Sequence, residues 1–177
     1  MARLTLLAAA AALRAAPQGA RAAEPACLTA REFTALSPYA LPSVIDGTTR
    51  ACAAQLPETA FLPRNGADLA ARYAAGKARA WPEARAAFLK LSAARDAGAA
   101  RLFTAMPDDA LQQVADAALA GIVSGQVKPA SCSSIDRVVA LLSPLPAENT
   151  AELIALAAGL GAKTGEARLG TIALCKA

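Results

Sequence analysis

The chain has 177 residues, with 18 Lys or Arg, 14 Asp or Glu and no His, and 55% of it is hydrophobic. This composition is too apolar and too weakly charged for a disordered protein, and 11 Gly and 11 Pro are too few for a fibrous or linker sequence. Ala (51 residues) and Leu (23 residues) favour helices, whereas the Val, Ile and aromatic residues that strands prefer are sparse, so we predict an all-α protein.

The first 22 residues have the organisation of a secretory signal peptide. Arg3 supplies a positive charge, residues 4–13 (LTLLAAAAAL) form the apolar run, and Ala20 and Ala22 are the small residues that a signal peptidase reads. We predict cleavage after Ala22, which leaves residues 23–177 as a single helical domain. A plain N-terminal helix is one alternative. A mitochondrial presequence is another, because the basic residues of this stretch occur with no acidic residue among them.

Cleavage would change the charge and the expected location of the protein. The leader holds three Arg and no acid, so 15 basic and 14 acidic groups would remain and the net charge would fall from +4 to +1. That small excess argues against nucleic-acid binding, which needs a clear surplus of Lys and Arg on one face. No other apolar stretch reaches the roughly 20 residues that span a bilayer. We expect a periplasmic or secreted protein without a transmembrane segment.

Helix signals follow one another through the rest of the chain and indicate seven or eight short helices in a compact bundle. The first helix begins at the capping box formed by Thr29 and Glu32, and Pro38 is expected to stop it. After a turn, Ser43 caps a second helix that reaches Cys52. These two helices are therefore predicted to form an antiparallel hairpin.

Further helices are predicted in the middle and at the end of the chain. Their expected positions are residues 67–80, Pro82 to Gly98, a short segment around Leu102, Pro107 to Gly125, Ser133 to Pro144, and Asn149 to Gly161. Ser133, three residues before Asp136, is expected to cap the helix that it begins. A break is expected at Trp81, because proline disfavours helical geometry in the residue before it. The tail, residues 170–175 (GTIALC), is ambiguous; one interpretation is a short extended segment held by a disulfide.

All four cysteines lie beyond the predicted cleavage site, and in an exported protein they indicate two disulfides with three possible pairings. A hairpin with nine residues down and nine back would bring Cys52 level with Cys27, since a helix rises about 1.5 Å per residue. The favoured pairing is therefore Cys27 with Cys52 and Cys132 with Cys175. Free buried thiols are the alternative.

The chain lacks most of the residues from which enzymes build active sites. Without His there is no Ser-His or Cys-His nucleophile pair, and the commonest metal ligand is missing. No C-x-x-C, C-x-x-C-H or S-x-x-K motif occurs. We therefore assign no catalytic residue, metal ligand or cofactor and expect a protein that is not an enzyme, although distant carboxylates could still meet in a hydrolase site.

One segment carries an excess of positive charge. Between residues 64 and 101 there are eight basic and three acidic residues. A basic helix pair could bind an acidic partner or anionic lipid headgroups; the alternative is a solvated surface whose charges pair with acids of the same chain. The residues of this predicted interaction face are Arg64, Arg72, Tyr73, Lys77, Arg79, Trp81 and Arg85.

Three hypotheses for function follow. The first is an exported, non-enzymatic helical protein that binds another macromolecule, either an unidentified protein or an envelope component. The second is a helical carrier that holds a small apolar ligand in a gap between helices. The third, a carboxylate-based hydrolase, would need two carboxylates that face each other across a cleft.

Overall fold

The computed structural model describes residues 27–163, 168–169 and 172–175. Its elements in chain order are α1 Ala30–Cys52, α2 Phe61–Ala74, α3 Lys77–Arg95, α4 Ala97–Ala105, α5 Asp108–Gln126, a 3₁₀ turn Pro129–Ser131, α6 Cys132–Leu142, α7 Ala147–Lys163, β1 Arg168–Leu169 and β2 Ile172–Ala173. The prediction of an all-α fold with seven or eight helices is confirmed for the described residues. The predicted leader, residues 1–22, and its cleavage after Ala22 lie outside them.

Helix α1 is the centre of the fold, and α2, α3, α5 and α7 all pack against it. The capping box predicted at its start is present: the Thr29 side chain accepts from the Glu32 backbone N–H at 3.2 Å, and the Glu32 carboxylate accepts from the Thr29 backbone N–H at 2.8 Å. Two clusters of buried side chains lie along the helix, one around Tyr39 and Trp81 and one around Ile45. The core therefore follows the length of α1.

The predicted stop at Pro38 is wrong, because α1 continues through Pro38 and Pro42 to Cys52. A proline inside a helix removes one backbone hydrogen bond and costs about 3 kcal/mol. Tyr39, between the two prolines, is almost fully buried, and α1 is covered by four neighbouring helices. Burial of so much apolar surface offsets the lost hydrogen bonds, which sequence propensity by itself does not reveal.

The continuous helix also explains why the predicted disulfide pairing is wrong. A helix of 23 residues is about 34 Å long, so Cys27 and Cys52 lie near opposite ends of α1 rather than side by side. The disulfides instead join Cys27 to Cys175 and Cys52 to Cys132, with Cα–Cα distances of 4.9 and 5.5 Å. One bond ties the tail to the start of α1, and the other ties the start of α6 to the end of α1.

Several other predicted boundaries differ from the structure. Helix α3 passes through Pro82, and its neighbour Trp81 is buried in the core, so the expected break there is wrong. The next stop comes at Asp96, before the predicted Gly98, because the Asp96 carboxylate caps the start of α4. Gly161 lies inside α7, which extends to Lys163. The start of α5 behind Pro107 is confirmed.

The beginning of α6 does not use Ser133 as the predicted side-chain cap, since the helix starts at Cys132 without a capping side chain. Asp136, expected to belong to that cap, instead accepts from the backbone N–H groups of Phe61 and Leu62 at 3.3 and 2.7 Å. It therefore caps α2 from another helix. Because the interaction spans more than 70 residues, no local motif could indicate it.

Residues 172–175 of the ambiguous tail are extended, as one interpretation of the sequence predicted, and residues 170–171 lie outside the described part of the chain. Strands β1 and β2 pair antiparallel, with Leu169 opposite Ile172. Leu174 forms a parallel bridge with Leu28, and Cys175 donates its backbone N–H to the Leu28 carbonyl at 2.9 Å. Together with the disulfide to Cys27, these bonds fix residues 173–175 beside the start of α1.

Candidate ligand-binding cleft

A cleft of about 620 Å³ opens between α1, the second half of α5 and the elements that follow it, and we call it the α1–α5–α7 cleft. Twelve of its sixteen lining residues have apolar side chains, which is typical of sites for small molecules. The lining residues are Phe33, Leu36, Ser37, Ala40, Leu41 and Val44 from α1, Leu119, Ile122, Val123 and Gln126 from α5, Val127, Lys128 and Ser131 from the α5–α6 connection, and Ile135, Ile154 and Ile172 from α6, α7 and β2.

The face of α5 that lines the cleft is defined by helical spacing. Leu119, Ile122, Val123 and Gln126 stand at positions i, i+3, i+4 and i+7, which place their side chains on one side of the helix. Leu119 is buried, but Ile122 and Val123 are only half-buried. The apolar surface of α5 is therefore larger than the surface that the other helices cover.

The other walls share this partial burial. Val44 of α1, Ile135 of α6, Ile154 of α7 and Ile172 of β2 all line the cleft and are all half-buried. Complete removal of an aliphatic side chain from water is favourable, by about 25 cal/mol for each Å² of apolar surface that is buried. A ligand that filled the cleft would complete this burial on several walls at once.

The polar side chains of the cleft are concentrated after the apolar part of α5. Gln126, Lys128 and Ser131 lie within six residues of one another, whereas the fourth polar lining residue, Ser37, donates its hydroxyl to the Phe33 carbonyl at 2.7 Å. Among the described lining residues Lys128 is the single charged one, and no carboxylate is present. The described cleft thus does not offer the facing carboxylates that the hydrolase hypothesis requires.

A second group of polar residues joins α1, α3 and α5 outside this cleft. The Lys77 ammonium forms an ion pair with Asp116 and lies 4.5 Å from the centre of the Tyr39 ring. The Ser43 hydroxyl donates to the same Asp116 carboxylate at 3.2 Å. The Asp116 carboxylate therefore binds a side chain from α3 and another from α1 at the same time. The arrangement fastens the three helices together.

Tyr39 is part of the same junction. Burial raises the pKa of its hydroxyl, and the negative charge of Asp116 raises that pKa further. The neutral hydroxyl donates to the backbone carbonyl of Gln112 at 3.2 Å, and the ring stacks at a tilt on Trp81, 5.0 Å between centroids. Tyr39 therefore remains protonated and serves as a bridge between α1 and α5.

The structure does not bring the predicted interaction face together as one exposed surface. Trp81 is buried against Tyr39. Tyr73 is also buried, and its hydroxyl lies 3.0 Å from both the Leu145 carbonyl and the Thr150 hydroxyl. These two aromatic residues hold neighbouring helices together and cannot contribute to an exposed face.

The basic residues of that predicted face mostly contact other parts of the same chain. Their contacts are Lys77 with Asp116, Arg79 with Glu148 at 3.6 Å, Arg85 with Asp108 at 3.0 Å, and Arg72 with the Ser143 carbonyl at 3.1 Å. Arg64 is exposed on α2. These contacts agree with the alternative of a surface whose charges pair internally; binding of an acidic partner by the remaining charge stays a prediction.

No sequence motif marks the residues that line the cleft as a site. The available signal was a second apolar stripe at the end of α5, where Val123, and Val127 just beyond the helix, extend the hydrophobic face past the stripe that includes Val114 and Ile122. A stripe wider than one helix contact indicates either a central helix or an uncovered surface. Periodicity could not distinguish these cases, and nothing local singled out Lys128.

Two further properties of the described residues bear on other kinds of site. None of the helices described is long and apolar enough to cross a membrane. Within the same residues, no three Cys, Asp or Glu side chains gather as a potential metal site.

Comparison of the chain with protein-family models, curated proteins and solved structures found no match. The geometry of the chain itself must therefore support any functional proposal.

Proposed function

We propose that this protein binds a small apolar ligand in the α1–α5–α7 cleft and acts as a non-enzymatic carrier. The observation that carries the proposal is the cleft itself, about 620 Å³ in volume and lined mainly by aliphatic side chains. Its size falls within the range of roughly 300–1,000 Å³ found for small-molecule sites. A carrier needs no catalytic group, which agrees with a chain that lacks His.

The two disulfides support an exported location for this carrier. Disulfides persist in oxidising compartments such as the periplasm and the extracellular space, and here they join Cys27 to Cys175 and Cys52 to Cys132. The proposal includes removal of residues 1–22 as a signal peptide. In such compartments a carrier would shield an apolar molecule from water while it moves between envelope layers or cells.

The disulfides also suit a protein that keeps an open cleft. Cys52–Cys132 fixes the start of α6 beside α1, and Cys27–Cys175 fixes β2, whose Ile172 lines the opposite part of the cleft. Walls that are covalently tied resist collapse into the space between them. This would keep the cleft largely preformed and reduce the ordering that a ligand must impose on binding.

Binding can be tested with the neutral fluorescent probe N-phenyl-1-naphthylamine and the oxidised protein. We expect saturable 1:1 binding that Val123→Trp removes, because a large side chain on α5 would fill the cleft. Val138→Trp is the matched control, since Val138 is 54% exposed on α6 and does not line the cleft. Absence of probe binding, or equal binding by Val123→Trp, would refute the proposal if circular dichroism shows both variants folded.

A second proposed function, binding of a macromolecular partner, is favoured by exposed apolar side chains on two helices. Val138 and Leu141 of α6, and Leu153 and Leu156 of α7, are each between 46% and 71% exposed. The three-residue spacing within each pair places its members on one helix face. Clusters of exposed apolar side chains are typical of interaction surfaces.

Leu141→Glu on α6 tests this second function, and Leu102→Glu on α4 is its control. The two leucines are equally exposed, at 71% and 70%, but lie on different helices. We expect Leu141→Glu to prevent isolation of a stoichiometric complex from the native host, and Leu102→Glu to leave it intact. If both variants behave like the original protein, the exposed apolar face of α6 at Val138 and Leu141 is not the binding surface.

A further inference from the structure

We infer that the ligand of the α1–α5–α7 cleft is a single-chain amphiphile with a carboxylate headgroup, bound with its chain along α1 and its headgroup at Lys128. This inference rests on the proposed carrier function and specifies its ligand. It depends on three observations: the direction of α5 relative to α1, the position of the polar lining residues, and the charge at that position.

Helices α1 and α5 run parallel and in constant register where they touch. Tyr39 donates to the Gln112 carbonyl and Ser43 donates to Asp116, so both of these α1 residues meet a partner 73 positions later in the chain. Continuing along α5 past Asp116 therefore means moving toward the C-terminal end of α1. The α5–α6 connection, which includes Lys128, lies toward that end.

The disulfide between Cys52 and Cys132 confirms this placement independently. Cys52 is the last residue of α1, and Cys132 follows Lys128 by four positions. Ser131 donates its backbone N–H to the Lys128 carbonyl at 2.9 Å, which fixes the short 3₁₀ turn between them. A hydrogen bond and a nearby disulfide thus hold Lys128 at the end of the cleft that lies beside the C-terminal end of α1.

The opposite end of the cleft is apolar. Phe33 lines it near the start of α1, and Ile172 lines it from β2, which is fixed beside Leu28. Phe33 and Val44, the first and last lining residues of α1, are about 16 Å apart along the helix at 1.5 Å per residue. The space is therefore elongated, with hydrocarbon walls at one end and polar groups at the other.

The charge at the polar end selects the headgroup. Lys128 is exposed, and its ammonium makes no ion pair with any residue in the described part of the chain. An ammonium is a compact single charge that suits a carboxylate, whereas a phosphate commonly recruits several donors or an Arg fork. No Asp or Glu lines the described cleft, so an incoming carboxylate would meet the Lys128 charge without repulsion from an acidic lining side chain.

The test uses displacement of N-phenyl-1-naphthylamine by four compounds that share a tetradecyl chain: the carboxylate, the alcohol, the phosphate and the trimethylammonium salt. We expect the carboxylate to displace the probe at about fivefold lower concentration than the alcohol, as expected for one partly exposed charge pair. The trimethylammonium compound should be the weakest. Raising the salt concentration should reduce the advantage of the carboxylate.

Variants of Lys128 then separate the headgroup from the chain. Lys128→Met should bring the carboxylate and the alcohol to equal affinity, and Lys128→Glu should make the trimethylammonium compound the preferred ligand. Arg95→Met is the matched control, because Arg95 is an exposed cation in the last turn of α3 and outside the cleft lining. It should retain the original preference.

The outcomes distinguish failure of the headgroup assignment from failure of the carrier function. If all four compounds displace the probe equally, or if Lys128→Met and Arg95→Met give the same result, the headgroup assignment is wrong while the apolar cleft remains a site. Preference for the alkyl phosphate would likewise overturn the carboxylate assignment. If the protein takes up neither the probe nor any tetradecyl compound, the carrier function itself fails.

Discussion

Gly47 of α1 lies so close to Ala120 of α5 that a Cβ atom at Gly47 would stand 2.6 Å from the Ala120 carbonyl oxygen. The obstacle is backbone, which cannot rotate away as a flexible side chain can. Gly47 therefore permits the parallel contact that orients α5 against α1. The same contact positions the wall of α5 that lines the cleft.

Replacing this glycine should separate the two helices. We expect Gly47→Ala to lower the free energy of unfolding by about 1–3 kcal/mol, because the added methyl group overpacks a backbone contact. Chemical denaturation followed by circular dichroism would measure the change. Gly121→Ala on the same helix pair is the control: it has no neighbouring atom within 4 Å of an added Cβ and should raise stability by about 0.5–1 kcal/mol. Equal effects would contradict the close-contact explanation.

The two disulfides should react with reductants in a definite order. Cys52 and Cys132 are almost fully buried, whereas Cys27 and Cys175 are half-buried. Under native conditions a small phosphine should therefore reduce Cys27–Cys175 first, because the attacking reagent must reach a sulfur atom.

Partial reduction, alkylation and peptide mass analysis would identify the order and also the pairing. In guanidinium chloride, where burial is lost, the two bonds should be reduced at similar rates. If alkylation under native conditions appears first at Cys52 or Cys132, the prediction is wrong, because the reductant would then reach the buried disulfide before the half-buried one.

Asp136 belongs to α6, but it should stabilise the protein by capping the start of α2. Its carboxylate accepts from the first backbone N–H groups of α2, at Phe61 and Leu62. We expect Asp136→Ala to lower the free energy of unfolding by about 0.5–2 kcal/mol, the usual effect of losing an N-terminal cap. Asp68→Ala, an exposed position within α2, should change stability much less when both variants are denatured in urea.

The ion pair between Glu32 and Lys90 should make stability depend on pH. The Lys90 ammonium donates to both Glu32 carboxylate oxygens at 2.8–2.9 Å, and with the Thr29 backbone N–H it lowers the pKa of Glu32 below its ordinary value of 4.5. The folded protein therefore binds this proton less readily than the unfolded chain. The contribution to stability is present above pH 4.5 and is lost as the pH falls through the lowered pKa.

Lys90→Met should consequently be less stable than the original protein at pH 7, by up to about 1 kcal/mol for a partly exposed pair. The difference should shrink once the pH falls below the ordinary pKa of Glu32. Urea denaturation at several pH values would measure it, with Arg95→Met as the control for loss of a positive charge. A difference that stays constant or grows on acidification would contradict the assignment.

Local sequence signals worked where the decisive interaction is short-range. The Thr29–Glu32 capping box closes within one helical turn, and the start of α5 depends on Pro107 and the acids beside it. They failed at Pro38 and Pro82, where burial of the surrounding helix outweighs the local preference of proline. They also missed the cap that Asp136 supplies to α2, because that residue belongs to a distant helix.

In the candidate site, too, local patterns predicted some features, while others depend on contacts between distant residues. Apolar periodicity predicted that α5 has a buried face, but it could not show that Ile122 and Val123 remain half-buried beside a space. The predicted interaction face combined residues by their proximity in sequence. The fold buried Tyr73 and Trp81 and left Lys128, which sequence reasoning had not singled out, at the end of the cleft.

Composition and helical spacing by themselves determined that this is an all-α protein with four cysteines available for pairing, because helix propensity and apolar periodicity act within a few residues. Only the tertiary structure decided that α1 runs straight through two prolines, which cysteines are bonded, and where an apolar cleft opens. These features depend on how much surface distant helices bury together, and that quantity exists only after the chain has folded.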